Sequence, residues 1–270
     1  NSLILNCSQL CLFHSAAPDP GGRGLRASLV PMTSEDSGAR RGIVSFVRRS
    51  PRLNTSQKKA WDRHAAQFVV DVPAGETSTA VASDASVDWE AAFGRKAPLV
   101  VEIGSGNGDS LVPMAANRPD VNFVAFEVYP PGVASTLGSI GRTGIGNVRV
   151  VMADGARGLG VLFPTGSLSE VWTFFADPWH KKRHHKRRIV NPGFADVVAD
   201  RLIPGGRWRL ATDWEEYALW QREVLDAHPG FVNEHSGWAP RFADRPVTRY
   251  EARGLAAGRQ VWDLTYRSVK

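Results

Sequence analysis

Between Leu99 and Asp213 the chain repeats one pattern five times: a short apolar run that leads to an acid. The runs LVVEIGSG, VNFVAFEV, NVRVVMAD, SLSEVWTFFAD and RWRLATD carry Glu102, Glu127, Asp154, Asp177 and Asp213 at their ends. Apolar runs of this length, with little polar alternation, read as strands buried on both faces. The segments GDSLVPMAANRP, PGVASTLGSIGRTG, RIVNPGFADVVADRLIPGG and EEYALWQREVLDAH carry helical spacing, the third closing at Gly205–Gly206. GRQVWDLTYRS reads as a last strand. Strands alternating with helices imply an α/β fold with a doubly wound, mostly parallel sheet. In such a sheet ligands collect at the carboxyl ends of the strands. One acid there is commonly a helix cap. Five in the same place call for another explanation.

The rest of the chain bounds the problem. Residues 1–45 are rich in Gly, Pro, Ser and Ala without periodicity, and are expected to form a flexible, disordered tail before one domain over 46–270. Met32 is an alternative start. The two cysteines, Cys7 and Cys11, stand with His14 but lack a fourth ligand, so no metal is expected. LILNCSQLCLF has no preceding Lys or Arg and is interrupted by Asn6, Ser8 and Gln9, unlike a signal peptide. No run approaches a membrane-spanning length, and the expected location is the cytoplasm. After a basic entry, Thr55 or Ser56 is expected to cap a helix over 57–67. The formal charge is +6, yet residues 180–188 alone hold six Lys and Arg, so the basicity is local and suits an acidic partner.

The glycine loop after the first run reads Glu102-Ile-Gly104-Ser-Gly106-Asn-Gly108-Asp. A pyrophosphate would meet the extra carboxylate of Asp109. A ligand with positive charge and no phosphate fits better, and S-adenosylmethionine is one. Glu127 is then placed to accept from both ribose hydroxyls, Asp154 from the adenine amino group, and Glu102 to lie near the methionine end or support the turn. Asp177-Pro178-Trp179 resembles the acid-Pro-Pro-aromatic motif of enzymes that methylate base nitrogens. There the proline stiffens the turn and the aromatic stacks on an extruded base.

Taken together, VEIGSGNGDSLVPMA, FEV, DPWHKKRHHKRRIVNPGF, LIPGGRWRLATDWEEYA and RPVTRYEARGLAAGRQVWDL resemble the bacterial tRNA (guanine-N7)-methyltransferase family, as does SFVRRSPRLNTSQKKAW upstream. The resemblance covers about residues 45–267 and implies the Rossmann-like, seven-stranded-type sheet of class I methyltransferases. By motif, Glu102, Glu127, Asp154 and Asp177 match the family's donor-binding acids, with Gly104, Gly106 and Gly108 in the donor loop. Asp177 also matches the proposed catalytic position. Lys181, Asp213 and the segment Thr248-Arg249-Tyr250-Glu251 match substrate-binding positions. The resemblance implies methylation of G46 in the tRNA variable region by a monomer or homodimer with no obligatory protein partner. The chain departs from the family at Ala176, where a proline is usual, and at Ser105 and Asn107, where bulkier residues are usual.

Guanine N7 has a lone pair and no proton, so Asp177 is expected to orient and stabilise charge rather than act as a base. Asp177, Asp213 or Glu251 would accept from guanine N1–H and N2–H. Lys181, Arg183, Lys186, Arg187 and Arg188 would bind phosphates. Trp179 serves either core packing or stacking. His180 and His184 have zinc-ligand spacing, but nothing near them completes a site. Thr248 and Glu251 also have the spacing of a capping box. Two other readings stay open: methylation of an exocyclic base nitrogen on DNA or another RNA, and a non-catalytic RNA-binding protein.

Overall fold

A computed structural model describes residues 52–270. The expected tail, the Cys7–Cys11–His14 spacing and Met32 lie outside the described residues. The elements run α1 (Thr55–Phe68), α2 (Trp89–Phe93), β1 (Leu99–Ile103), α3 (Leu111–Ala116), β2 (Asn122–Phe126), α4 (Pro130–Thr143), β3 (Val148–Val151), α5 (Gly155–Leu162), β4 (Leu168–Phe174), a 3-10 helix (Lys182–Arg187), α6 (Pro192–Arg201), β5 (Leu202–Thr212), α7 (Glu215–Asp226), β6 (Phe231–Asn233), α8 (Arg249–Ala256) and β7 (Trp262–Ser268).

The seven strands form one sheet in the order β3-β2-β1-β4-β5-β7-β6. The pairings from β3 to β5 are parallel, and β7 is antiparallel to both neighbours. The central strands are buried on both faces, as their apolar runs require. Alternate residues feed two cores: Val101, Ile103, Val124 and Phe126 face one, and Val100, Phe123 and Ala125 the other. The chain winds outward from β1 to β3, then returns to place β4 on the other side of β1. The crevice beyond the carboxyl ends of β1 and β4 is therefore the switch point where an open sheet of this kind takes ligands.

Several boundaries differ from expectation. Asn54 caps α1, because its side chain accepts from the Gln57 amide while Gln57 reaches back to the Asn54 amide. α6 ends at Arg201 rather than at the glycine pair, and Gly205 and Gly206 lie within β5. α5, α8 and β6 are additions to the expected elements.

The packing of α4 on the glycine loop positions the site. A Cβ on Gly132 would stand 2.6 Å from the Gly106 carbonyl oxygen and 3.2 Å from Glu127 Cγ. Only a bare Cα fits between helix and loop. Gly132→Ala should lower stability by about 1–3 kcal/mol through overpacking, read as a lower Tm. An unchanged Tm would show that the loop gives way at no cost.

Candidate active site

Glycine serves the first turn for a stated reason. Gly104, Gly106 and Gly108 have φ of 75°, 58° and 73°, a region that side chains resist. A Cβ on Gly104 or Gly106 would meet open space, so their left-handed turn leaves bare backbone facing outward. Glu127 braces this loop: one carboxylate oxygen accepts from the Gly106 amide at 2.7 Å, the other from the Tyr129 amide at 2.8 Å.

Glu102 is 3% exposed, and its Oε2 lacks a hydrogen-bond partner among the described residues. Burial, then the charge of Glu127, push its carboxyl pKa up to about 8 against the opposing field of Arg245. Asp154 is also buried and caps α5 through the Ala156 amide at 3.0 Å, so for this acid the capping role is real. Burial raises its pKa; the Ala156 amide and Arg157 oppose the rise.

Asp177 follows β4 in a turn bracketed by two aromatic residues in the left-handed region, Phe175 (φ 53°) and Trp179 (φ 50°). Bulky side chains rarely adopt this backbone, and each costs on the order of 1–3 kcal/mol. Contacts hold the turn in place. The Phe175 amide donates to Ala211 O at 2.8 Å, and its ring packs on Tyr250 at 5.4 Å. Arg187 lies over the Trp179 ring at 4.2 Å, and Arg188 donates to the Pro178 carbonyl at 2.9 Å. Ala176 packs on the core from within the turn. Asp177 itself is half-buried and adds its charge to the influences that raise the pKa of Tyr217 and Tyr250, after the larger effect of burial. Asp213 is 8% exposed, accepts from the Tyr250 hydroxyl at 3.3 Å and pairs with Arg259 at 3.1 Å. The structure thus joins Asp213 to Tyr250, and Tyr250 to the turn that carries Asp177 through the Phe175 ring. Thr248 caps α8, and Arg249 reaches across to Asp109 of the glycine loop at 3.7 Å.

Two expected residues stand elsewhere. Arg188 was expected on a phosphate. It is 2% exposed, and its guanidinium meets Pro178 O and Glu216 and lies over Tyr217 and Trp220, so it holds the basic segment to the body of the fold. Glu251, a candidate for the guanine edge, is 1% exposed with its oxygens taken by Arg241 and Arg245. Lys181, Arg183 and Lys186 are exposed, and Arg187 is half-buried against Trp179. His180 packs on Trp214 and His184 on Trp179, so the two histidines serve different neighbours. Sequence reasoning missed Arg245, whose buried guanidinium donates to Glu251 at 3.0 Å and to both oxygens of Asp263 at 2.9 and 3.0 Å. An arginine just before a proline in RPVTRYE carried no signal of burial.

Comparisons with known proteins point one way. Residues 96–264 match a family described as "Putative methyltransferase". A tRNA (guanine-N(7)-)-methyltransferase of Cutibacterium acnes is 53% identical over 92% of this chain and 91% of its own. Proteins of the same name from Nocardioides sp. and Aromatoleum aromaticum are 47% and 44% identical, over 84% and 94% of this chain and 88% and 93% of theirs. With the family match running from before β1 into β7 and relatives this similar over most of both chains, the chain belongs to the tRNA (guanine-N(7)-)-methyltransferase family.

Proposed function

We propose that this chain transfers a methyl group from S-adenosylmethionine to N7 of a guanine in tRNA, at position 46 of the variable region. The position rests on the family resemblance alone. The observation that carries the donor assignment is the bare surface over Gly104 and Gly106, beside a buried carboxylate oxygen of Glu102 without a partner. A cationic ligand without phosphate fits that pairing of open backbone and a buried carboxyl that ionises readily only when a cation meets it. Glu127 and Asp154 would hold its ribose and adenine, and Glu102 its amino group. When bound, the donor supplies an electrophilic methyl on a sulfonium.

The chain's own task is placement. Asp177, on a strained and clamped turn at the end of β4, orients the guanine and offsets the positive charge the purine gains. No proton leaves N7, so no side chain needs to act as a base. Asp213, with Tyr250 beside it, is the better placed acid for the guanine N1–H and N2–H edge, since Glu251 is enclosed by arginines. Lys181, Arg183, Lys186 and Arg187 meet the phosphates. The reading includes a single acting domain over 46–270, a cytoplasmic location, and action as a monomer or homodimer.

Mass spectrometry of tRNA nucleosides after incubation with protein and donor should show 7-methylguanosine; methylation of an exocyclic nitrogen instead would overturn the reading. Asp177→Ala should lose turnover while calorimetry still detects donor binding, and wild-type turnover would remove Asp177 from the mechanism.

The two ends of the basic segment should behave differently. Lys186→Ala should reduce the slope of log tRNA affinity against log salt by about one. Arg188→Ala should leave that slope alone and lower Tm, because it exposes no charge to RNA and breaks a buried anchor.

Glu102 makes a pH prediction. Its folded pKa of about 8 lies above the ordinary 4.5, so the folded donor-free protein holds an extra proton between these values. Stability from this group therefore falls as pH rises through that window. Glu102→Gln should match wild-type Tm below the window and exceed it near about pH 9, while weakening donor binding. A Tm difference independent of pH would contradict it.

A further inference from the structure

Among the Phe, Tyr and Trp side chains of the described residues only two are exposed, Trp214 and Tyr250. Both flank Asp213: Tyr250 by its hydrogen bond, Trp214 as the next residue in the chain. Local structure does not call for an indole at 214. The residue is the N-cap of α7, and it makes no side-chain cap bond there. Ser, Thr, Asp or Asn would satisfy that helix end better. The core does not call for it either, since the side chain is 36% exposed and its ring meets the edge of His180 with centroids 4.0 Å apart.

The ring is nevertheless held. It lies against His180, the residue that opens the basic segment after the Asp177 turn. Glu216 pairs with Arg188 at 3.2 Å and His185 at 3.4 Å, and Arg188 holds the Pro178 carbonyl. The His180 contact sets the exposed indole against the segment that follows the Asp177 turn, and Arg188 ties that segment to Pro178. Trp179, by contrast, is half-buried with Arg187 over its ring.

We propose that Trp214 is a stacking platform for an unpaired nucleobase of the tRNA substrate, set beside Asp213. The proposal rests on the tRNA reading above and adds a residue to it. Every base presents a π-face, so an exposed, immobilised indole grips a base whatever its identity, while Asp213 and Tyr250 offer polar contacts at the edge. His180, which touches the indole, opens the basic segment, so the stacked base and its neighbouring phosphates would meet one continuous loop.

Steady-state kinetics on a tRNA transcript, donor calorimetry and thermal unfolding of Trp214→Phe and Trp214→Leu test this. Leucine keeps apolar bulk but has no π-face; phenylalanine keeps the π-face but loses the indole N–H. Trp214→Leu should raise the KM for tRNA about tenfold, with donor affinity and salt slope unchanged. Trp214→Phe should stay within about threefold of wild type. Wild-type KM in the leucine variant would overturn the proposal. So would equal impairment of both variants with lowered Tm, which would leave the indole only a structural role. If the wild-type protein forms no 7-methylguanosine, the tRNA reading itself falls, an outcome read before any variant is made.

Discussion

The two sides of the site meet at the buried guanidinium of Arg245. It ties Glu251 on the first turn of α8 to Asp263 on β7, lies 5.3 and 5.2 Å from the Phe174 and Phe175 rings, and acts on Glu102 through its field. Phe175 begins the strained turn that carries Asp177. One side chain therefore touches the start of α8, β7 and the Asp177 turn, and its field reaches Glu102 before the glycine loop. Such a group is worth little as a net gain in stability, because desolvating it is expensive. Removing one partner would leave a buried charge uncompensated, at about 3–5 kcal/mol.

The charge balance around Arg245 says more than its bonds. Arg241 and Arg245 face Glu251 and Asp263, which leaves Glu102 without a cation of its own. Glu170 near the start of β4 is the contrast. It is comparably buried, yet the Trp172 indole, Arg209 and Arg118 outweigh the cost of burial and hold its pKa below the ordinary value. One buried acid at the amino end of the sheet is satisfied by the protein. The one at the carboxyl end is not. The difference is one of partners: cations and an indole meet Glu170, and none pairs with Glu102 among the described residues.

The strands and their terminal acids were legible because burial on both faces writes itself as uninterrupted apolar runs. α5 was not legible, since GARGLGVL puts three glycines in eight residues. Packing explains two of them: a Cβ on Gly155 or Gly158 would stand 2.8 or 2.6 Å from the Phe126 side chain, so the helix lies too close to β2 for anything larger. Tertiary contact overrode propensity there. α8 was half-legible, since the Thr248–Glu251 spacing was seen and the cap is present, but Glu251 also serves the ion cluster, which no local pattern reveals. Arg188 misled for the same reason. In HKKRHHKRR nothing distinguishes the last arginine from its neighbours, and only the 3-10 helix turns it inward while Lys186 faces solvent.

That inward turn bears on Ala176. A proline restricts the residue before it to extended backbone, whereas Phe175 here has φ of 53°. An alanine at 176 leaves Phe175 free to take the left-handed conformation, from which its ring reaches Tyr250 and Arg245. The rigidity a proline would have given the turn is supplied from outside: by Arg188 on the Pro178 carbonyl, Arg187 on Trp179, and Ala211 on the Phe175 amide. The cationic segment is therefore divided by side chain. Its buried arginine holds the Pro178 carbonyl beside Asp177, and Lys181, Arg183 and Lys186 face solvent. A substitution in this segment acts on the turn or on the exposed face according to which way the 3-10 helix points the residue, and charge alone does not tell them apart.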